Sequence, residues 1–396
     1  MSQNKTSFTS LFALIALVAP GHFLIDFMLS IWPVYKTLAH LDIGIAGLIA
    51  VVAISSGELM QLFFGKLIDK GHAKKLLIIG PLLGSAAIFF PYVSTYMAFF
   101  FLLLCTTIGS AAFHPTAASV LGAIITPRRA LIMGIFQMSG NFGLGFGQLF
   151  FTTTYEILSG HTAILIIPAV VLGCVIISAS IKAQEPTKEH ISFATIARFF
   201  KHPTLRNLYF IQLCHQTVLW STVFLLPDLL VARGYSTTIA LGGGHLALLS
   251  GAALGCLPAG FLGDRFSPAK TIVSGYILSF IALYTLLFQP ALSVGALLSV
   301  LFFFGASLGP MTPLSLAVGT GTMPELRGMV SAFLMGLVWI VSETIGIGFS
   351  GILADCFASD GPMKALSCIG LYLVAGSYFA FSLISEEHRA QSAELS

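Results

Sequence analysis

The sequence predicts an all-α membrane protein with twelve spanning helices in two pseudo-symmetric six-helix bundles. Of its 396 residues, 56% are hydrophobic and only 9% are charged, whereas soluble domains carry about 25% charged residues. Long apolar runs recur along the chain, and in lipid a spanning backbone must satisfy its hydrogen bonds within its own helix. The charged stretch that begins at Gly65 also recurs at Gly260, 195 residues later. A repeat of nearly half the chain is typical of proteins built from two halves in a membrane.

Twelve apolar runs are long enough to cross a bilayer, which needs about 20 residues per helix. None of them alternates polar and apolar residues as the strand of a membrane barrel would. The predicted spans are residues 8–32, 43–68, 75–92, 96–125, 130–157, 162–182, 205–231, 238–263, 269–288, 292–320, 327–354 and 363–384.

A polar insert at residues 183–204 separates the two halves. The sequence therefore predicts an N-terminal bundle of residues 1–182, a cytoplasmic linker, and a C-terminal bundle of residues 205–396. Within the linker, residues 193–200 form an amphipathic pattern, for which we predict a short helix along the membrane surface.

Basic residues are distributed unevenly between the predicted loops. With the N-terminus inside, sixteen Lys and Arg residues fall on the cytoplasmic side and three, Lys36, Arg233 and Lys364, on the outer side. The positive-inside rule then predicts that both termini are cytoplasmic. We expect the protein in the cell membrane, as a multi-pass protein of a bacterial inner membrane, with no Lys or Arg deep in a span.

The repeated charged stretch resembles the loop motif after the second helix of the major facilitator superfamily and the weaker copy of that motif after the eighth helix. The resemblance implies the fold of that superfamily and a cytoplasmic gate, in which the first Asp closes against the start of the eleventh helix. Glycines in the stretch would let backbones approach closely. The alternative is that these charges only set topology, but Asp contributes little to the positive-inside rule. The gating residues would be Gly65, Asp69, Lys70, Gly260, Asp264, Arg265 and Arg327.

Polar and ionisable residues within spans are candidate binding positions, because they are costly in lipid. His22 and Asp26 lie four residues apart and therefore share a helix face, as do Trp339 and Glu343. The alternative for His22 and Asp26 is a structural pair, and for His114 a partner for carbonyls that the next residue, a proline, leaves free. The remaining candidates for substrate or proton binding are Glu58, His114, Gln137 and Asn141.

Several segments are similar to the fosmidomycin-resistance family of drug exporters. They are His22-x-x-x-Asp26 in the first helix, Phe113-His114-Pro115 in the fourth, residues 135–143 in the fifth, and residues 327–331 and 351–355 in the eleventh. The resemblance implies efflux of small drugs or toxic metabolites. The chain departs from the family pattern where Thr116 replaces a Glu and where an Arg is missing near Val120.

These observations predict a secondary active transporter that works by alternating access, and no enzyme activity or cofactor. No phosphate-binding loop of the ATPase type occurs, so the expected drive is the proton gradient, with Asp26 and Glu343 as candidate proton carriers. Trp32, Tyr35 and Trp339 suit a cationic substrate. We expect proton-coupled export of a small cationic or zwitterionic molecule by a monomer in the lipid bilayer, with no nucleic-acid partner.

Two alternatives remain open. Divalent metal export is one, because His22, Asp26, His114, Cys214 and His215 are residue types that bind metals. Cys214 and His215 are adjacent, however, and point about 100° apart on a helix, so no metal site is predicted. Uptake of a nutrient or a siderophore is the other.

Overall fold

The computed structural model describes residues 8–122, 129–179, 193–323, 326, 329–330, 333–357 and 359–394. Within these residues the chain is predominantly helical and contains no strand. In the described part of the chain, nine helices are long and apolar enough to cross a membrane, and two shorter apolar helices accompany them. Together with Arg129–Ile157, they make the twelve segments that the sequence predicts, numbered here α1 to α12. The all-helical prediction is confirmed.

The first six segments follow the predicted spans within a few residues. The first is interrupted at Ser30, because Pro33 lacks the N–H that would bond to the carbonyl of Leu29. The segments are α1 (Phe8–Leu29 and Ile31–Leu38), α2 (Ile43–Asp69), α3 (Ala73–Gly84 and its 3₁₀ continuation Ser85–Tyr92), α4 (Tyr96–Gly122), α5 (Arg129–Ile157) and α6 (Thr162–Ile166 and Ile167–Ser178).

The second six segments follow a linker helix, Phe193–Lys201. The break in α10 has the same cause as that in α1, since Pro313 leaves the carbonyl of Gly309 without its helical donor. Two stretches of α11 are wound as π-helix. The segments are α7 (Pro203–Ala232), α8 (Ile239–Gly243, Gly244–Gly255 and Ala259–Phe266), α9 (Pro268–Phe288), α10 (Val294–Leu308 and Met311–Thr322), α11 (Phe333–Leu337, Val338–Glu343, Thr344–Phe349 and Ser350–Cys356) and α12 (Gly361–Ile369 and Tyr372–Glu394).

The chain forms two compact units. The first comprises residues 1–41, 49–187 and 241–246, and the second comprises residues 42–48, 188–240 and 247–396. In the first unit α1 packs mainly against α5, and α3 packs against α4. In the second unit α7 packs against α11 and α12, and α9 packs against α10.

Glycines of α5 bring it close to α1. A Cβ at Gly147 would lie 2.5 Å from the carbonyl oxygen of Phe27, and one at Gly143 would overlap the carbonyl of Phe23. Any larger residue at either position would push the two helices apart. This close approach places the polar face of α1 directly against α5.

The linker helix is amphipathic as predicted, but protein covers its apolar face. Phe199 is 1% exposed, and its ring lies 5.3 Å from that of Phe333 in α11. Phe200 packs on Tyr209 of α7 and on Phe333, with ring centroids 4.9 and 5.0 Å apart. Phe199 and Phe200 therefore pack within the second unit.

Lys36 differs from its predicted placement in an outer loop. It lies within the second part of α1 and is 1% exposed, with its Nζ donating to Thr37 Oγ1 at 3.3 Å. The first helix thus extends six residues beyond the predicted span 8–32 and includes this buried Lys. Arg233, by contrast, follows the end of α7 and donates to the carbonyls of Leu286 and Leu287 at 2.6 Å each, where it satisfies groups at the end of α9 that lack helical partners.

Candidate functional site

Three ionisable side chains meet inside the first unit. His22 Nε2 lies 3.3 Å from Asp26 Oδ2 along α1, and His114 Nε2 on α4 lies 3.2 Å from Asp26 Oδ1. The His22 and His114 rings are edge to face, with centroids 4.9 Å apart. One carboxylate thus holds two imidazoles, one on each oxygen. We call His22, Asp26 and His114 the His–Asp–His cluster.

Both imidazoles of the cluster are anchored through Nδ1. His22 Nδ1 lies 2.7 Å from the carbonyl oxygen of Phe136 on α5. His114 Nδ1 lies 3.1 Å from the carbonyl of Ser110 and 2.9 Å from its hydroxyl. The carbonyl that Pro115 frees belongs to Ala111, so the predicted alternative role of His114 does not describe its contact. These anchors direct both Nε2 atoms at Asp26.

The ring of His22 is also fixed from the side of α5. It stacks on Phe136 at 3.9 Å between centroids, and a Cβ at Gly140 would lie 2.5 Å from its Cε1. Phe136 and Gly140 are one helical turn apart and therefore face α1 together. Neither was a predicted site residue, and neither was Ser110. The signals for them in the sequence are the family-like segment 135–143, which contains Phe136 and Gly140, and the spacing of four residues between Phe136 and Gly140 and between Ser110 and His114.

The anchoring contacts determine where protons must be. A carbonyl oxygen only accepts, so His22 Nδ1 donates to Phe136, and in the neutral ring Nε2 then carries a lone pair. That nitrogen faces a carboxylate oxygen, which also only accepts. The His22–Asp26 contact becomes an attraction between opposite charges only when one proton is added to a neutral imidazole and an ionised carboxylate. Without that proton two acceptor atoms, His22 Nε2 and Asp26 Oδ2, lie 3.3 Å apart in a buried site.

Glu58 extends the ionisable group towards α2. Its carboxylate interacts electrostatically with His114 and accepts a hydrogen bond from Gln61 on the same helix. The charge of Glu58 on α2 thus acts on His114, whereas His22, Asp26 and His114 are in direct contact. The sequence predicted the pairing of His22 with Asp26, and the structure adds His114 to that pair.

Thr116 and Val120 mark the places where this chain departs from the drug-exporter pattern, and neither contributes a charge to the site. Thr116 is fully buried and donates to the carbonyl of Ala112 within its own helix at 2.7 Å. Val120 belongs to the apolar core of the first unit. The cluster is therefore complete without the Glu and Arg of the family pattern.

The remaining predicted binding residues lie in two places. Gln137 and Asn141 are partly buried one turn apart on α5, each next in sequence to a residue that contacts His22, Phe136 and Gly140 respectively. Trp339 and Glu343 share the helical piece Val338–Glu343 of α11 in the second unit. Glu343 is 8% exposed, and a π-helical stretch begins directly after it, a feature that often marks functional sites in helices.

Trp32 and Tyr35 do not have the predicted role of contacting a cationic substrate. They are 2% and 5% exposed, and both pack on Phe90 and Phe99. Their rings therefore belong to the aromatic core of the first unit, because the break at Ser30 turns this face of α1 towards α3 and α4.

The predicted gating residues are only partly within the described structure. Lys70 and Arg265 are exposed. No described residue places an atom within 4 Å of a Cβ at Gly65, so the described part of the chain shows no close backbone approach there. Asp69 ends α2, and Gly260 and Asp264 lie in the last part of α8. The side-chain surroundings of Asp69, Gly260 and Asp264 and all of Arg327 lie outside the described residues.

Among the described residues, the His–Asp–His cluster is also the one group of three that could approach a metal ion. Its ligand atoms lie within 4.8 Å of one another, whereas a tetrahedral ion with bonds of about 2.1 Å needs ligand atoms about 3.4 Å apart. The cluster would have to contract around an ion. The N···O contacts of the cluster, at 3.2 and 3.3 Å, suit protons shared between its side chains. Cys214 and His215, the other metal-binding residue types considered, belong to the second unit.

A family model decides the classification of the chain. The model of the Major Facilitator Superfamily matches residues 11–347. The chain belongs to the Major Facilitator Superfamily. It is therefore a multi-pass membrane transporter, and the expectation that it is not an enzyme is confirmed. No curated protein matches the chain.

Solved transporters of the superfamily share the fold. A bacterial homologue of the human lysosomal transporter Spinster, inward-facing and occupied, matches with a TM-score of 0.74 at 17% identity over 96% of this chain and 97% of its own. The same homologue in an unoccupied state gives 0.75. The nucleoside transporter NupG, in a mutant form, gives 0.74 at 13% identity, covering 94% of this chain and 99% of its own. At these identities the likeness concerns the fold.

Proposed function

We propose that this superfamily member is a proton-coupled transporter that exports a small cationic or zwitterionic organic molecule by alternating access. The observation that carries the proposal is the His–Asp–His cluster, whose His22–Asp26 contact becomes attractive when one proton is added. When that proton leaves, two acceptor atoms, His22 Nε2 and Asp26 Oδ2, lie 3.3 Å apart in a buried site. The deprotonated cluster is thus destabilised in this arrangement, which couples proton movement to a change in helix packing.

The sequence supports the export assignment through its similarity to the fosmidomycin-resistance family of drug exporters. The matching segments include His22 and Asp26 in α1 and His114 in α4, the same residues that form the cluster. Glu343 is proposed to bind the charge of the substrate beside Trp339, because a carboxylate and an indole together favour an organic cation. The uneven distribution of basic residues supports cytoplasmic termini in a bacterial inner membrane.

The test compares wild type with Asp26→Asn in proteoliposomes. An amide at position 26 can donate to His22 Nε2 and accept from His114, so it imitates the protonated carboxyl permanently. Ethidium movement driven by a pH gradient should be lost, whereas ethidium counterflow at equal pH should persist, because that exchange needs no net proton movement. Glu156→Gln removes an exposed carboxylate from α5 in the same unit and should leave both activities unchanged.

The substrate that the protein transports distinguishes the proposal from its alternatives. Zn²⁺ and uridine are tested beside ethidium, uridine because one structural neighbour carries nucleosides. Gradient-driven transport of Zn²⁺ without ethidium would overturn the organic-cation assignment in favour of metal export. Full gradient-driven ethidium transport by Asp26→Asn would show that Asp26 is not the coupling group.

A further inference from the structure

The second unit contains a polar cluster that the proposed function does not yet use. Gln212 and Gln216 lie one turn apart on α7, and both are buried. Thr312 of α10 bridges them: its hydroxyl donates to Gln212 Oε1 at 3.3 Å and accepts from Gln216 Nε2 at 3.5 Å. One turn further along α7, the indole Nε1 of Trp220 is buried without a hydrogen-bond partner among the described residues.

This cluster occupies the place that the His–Asp–His cluster occupies in the first unit. The first helix of each six-helix half has a proline five residues before its last residue, Pro33 in α1 and Pro227 in α7. Gln216 precedes Pro227 by 11 residues, as His22 precedes Pro33, and Trp220 precedes Pro227 by seven, as Asp26 precedes Pro33.

The fourth helix of each unit gives the same correspondence. His114 directly precedes Pro115 in α4, and Thr312 directly precedes Pro313 in α10. In both units the paired residues of the first and fourth helices are in contact, His22 with His114 and Gln216 with Thr312. Aligned on these prolines, the first unit has titratable groups where the second has uncharged hydrogen-bonding groups.

The hydrogen bonds of this second cluster are incomplete. A primary amide offers two donor hydrogens and an acceptor oxygen, and an indole N–H only donates. Thr312 occupies one acceptor of Gln212 and one donor of Gln216, through contacts longer than the usual 2.9–3.0 Å. The buried Nε1 of Trp220 lacks an acceptor among the described residues, and such buried unsatisfied groups are rare in native proteins.

We propose that Gln212, Gln216, Trp220 and Thr312 bind an uncharged part of the transported molecule that carries both a hydrogen-bond donor and an acceptor, such as a carboxamide. The oxygen of that group accepts from Trp220 Nε1, and its N–H and C=O replace the long bonds to Thr312. This inference rests on the proposed function for the charged part of the substrate. The first unit then exchanges protons, and the second recognises neutral polar groups.

The test measures equilibrium binding of three probes to the purified protein by calorimetry. Procainamide carries a positive charge and a carboxamide, tetraphenylphosphonium carries a charge without hydrogen-bonding groups, and uridine carries hydrogen-bonding groups without charge. Thr312→Val and Gln216→Leu should each weaken procainamide binding about tenfold, the value of one to two neutral hydrogen bonds, and change tetraphenylphosphonium binding less than about twofold. Thr222→Val is the matched control, because the Thr222 hydroxyl bonds only within α7.

The outcomes separate this inference from the proposed function. Equal weakening of both cations, or no weakening of procainamide, would overturn the second cluster as a binding site. If the wild type binds uridine but neither cation, the proposed cationic substrate is overturned. The second cluster remains a binding site in that case only if Thr312→Val weakens uridine binding. Binding of none of the three probes would overturn both. Melting temperatures show whether each variant is folded. If Gln216→Leu does not fold, the binding data of Thr312→Val alone test the second cluster.

Discussion

Replacing Gly140 with Ala should disable the His–Asp–His cluster from the opposite helix. The added Cβ would lie 2.5 Å from His22 Cε1 and 2.6 Å from His22 Nε2, and it would overlap Asp26 Oδ2. Carbon atoms normally approach to about 3.5 Å, so the ring must move by about 1 Å. It cannot do so in place, because Phe136 holds it by a 2.7 Å hydrogen bond and a ring stack.

The expected loss of stability follows from the interactions that Gly140→Ala would disrupt. Overpacking in a tight interior costs about 1–3 kcal/mol, and the hydrogen bond to Phe136 contributes about 0.5–3 kcal/mol, the upper end applying if the imidazole is charged. Ala in place of Gly within a helix returns about 0.5–1 kcal/mol. We therefore expect a net destabilisation of about 0.5–5.5 kcal/mol, or a cluster displaced enough to lose gradient-driven transport by about tenfold or more.

The assay combines ethidium transport in proteoliposomes with thermal melting in detergent. Gly173→Ala is the matched control, since this α6 glycine lies in the same unit and its Cβ would meet Ile78 at an ordinary 3.6 Å. It should transport normally and melt at the same or a slightly higher temperature. If Gly140→Ala behaved like Gly173→Ala in both measurements, the packing of α5 on the cluster would be refuted.

Three further predictions concern other parts of the molecule. Asp69→Asn should weaken closure of the proposed gate and raise cysteine accessibility from the cytoplasmic side, while insertion stays normal; unchanged accessibility and transport would leave these charges with a topological role only. Glu343→Gln should weaken binding of the cation ethidium and spare that of the neutral uridine, and equal effects on both would contradict charge recognition. Arg233→Lys should lower the melting temperature, because Lys lacks the fork that donates to two carbonyls at once, an interaction worth about 1.5–3 kcal/mol per charged hydrogen bond. Arg198→Lys, on the exposed face of the linker helix, should leave melting unchanged, and an equal effect of both substitutions would remove the special role of Arg233.

The sequence by itself predicted where helices begin and end. Apolar runs of bilayer length are a local property, and a backbone in lipid can satisfy its hydrogen bonds only as a helix, so segments such as α7 and α9 match their predicted spans within two residues at either end. The pairing of His22 with Asp26 also followed from spacing alone, because residues four apart on a helix share a face.

Only the tertiary structure decided which faces of these helices meet. A span that is apolar all round does not reveal from its sequence how it is rotated about its axis. Trp32 and Tyr35 therefore proved to be core residues, and Lys36 proved to be buried. The contact of His114 with Asp26 and the Phe136 carbonyl that orients His22 depend on where α4 and α5 pack against α1. That packing is set by glycines such as Gly143, whose missing side chains matter only once a second helix lies against them.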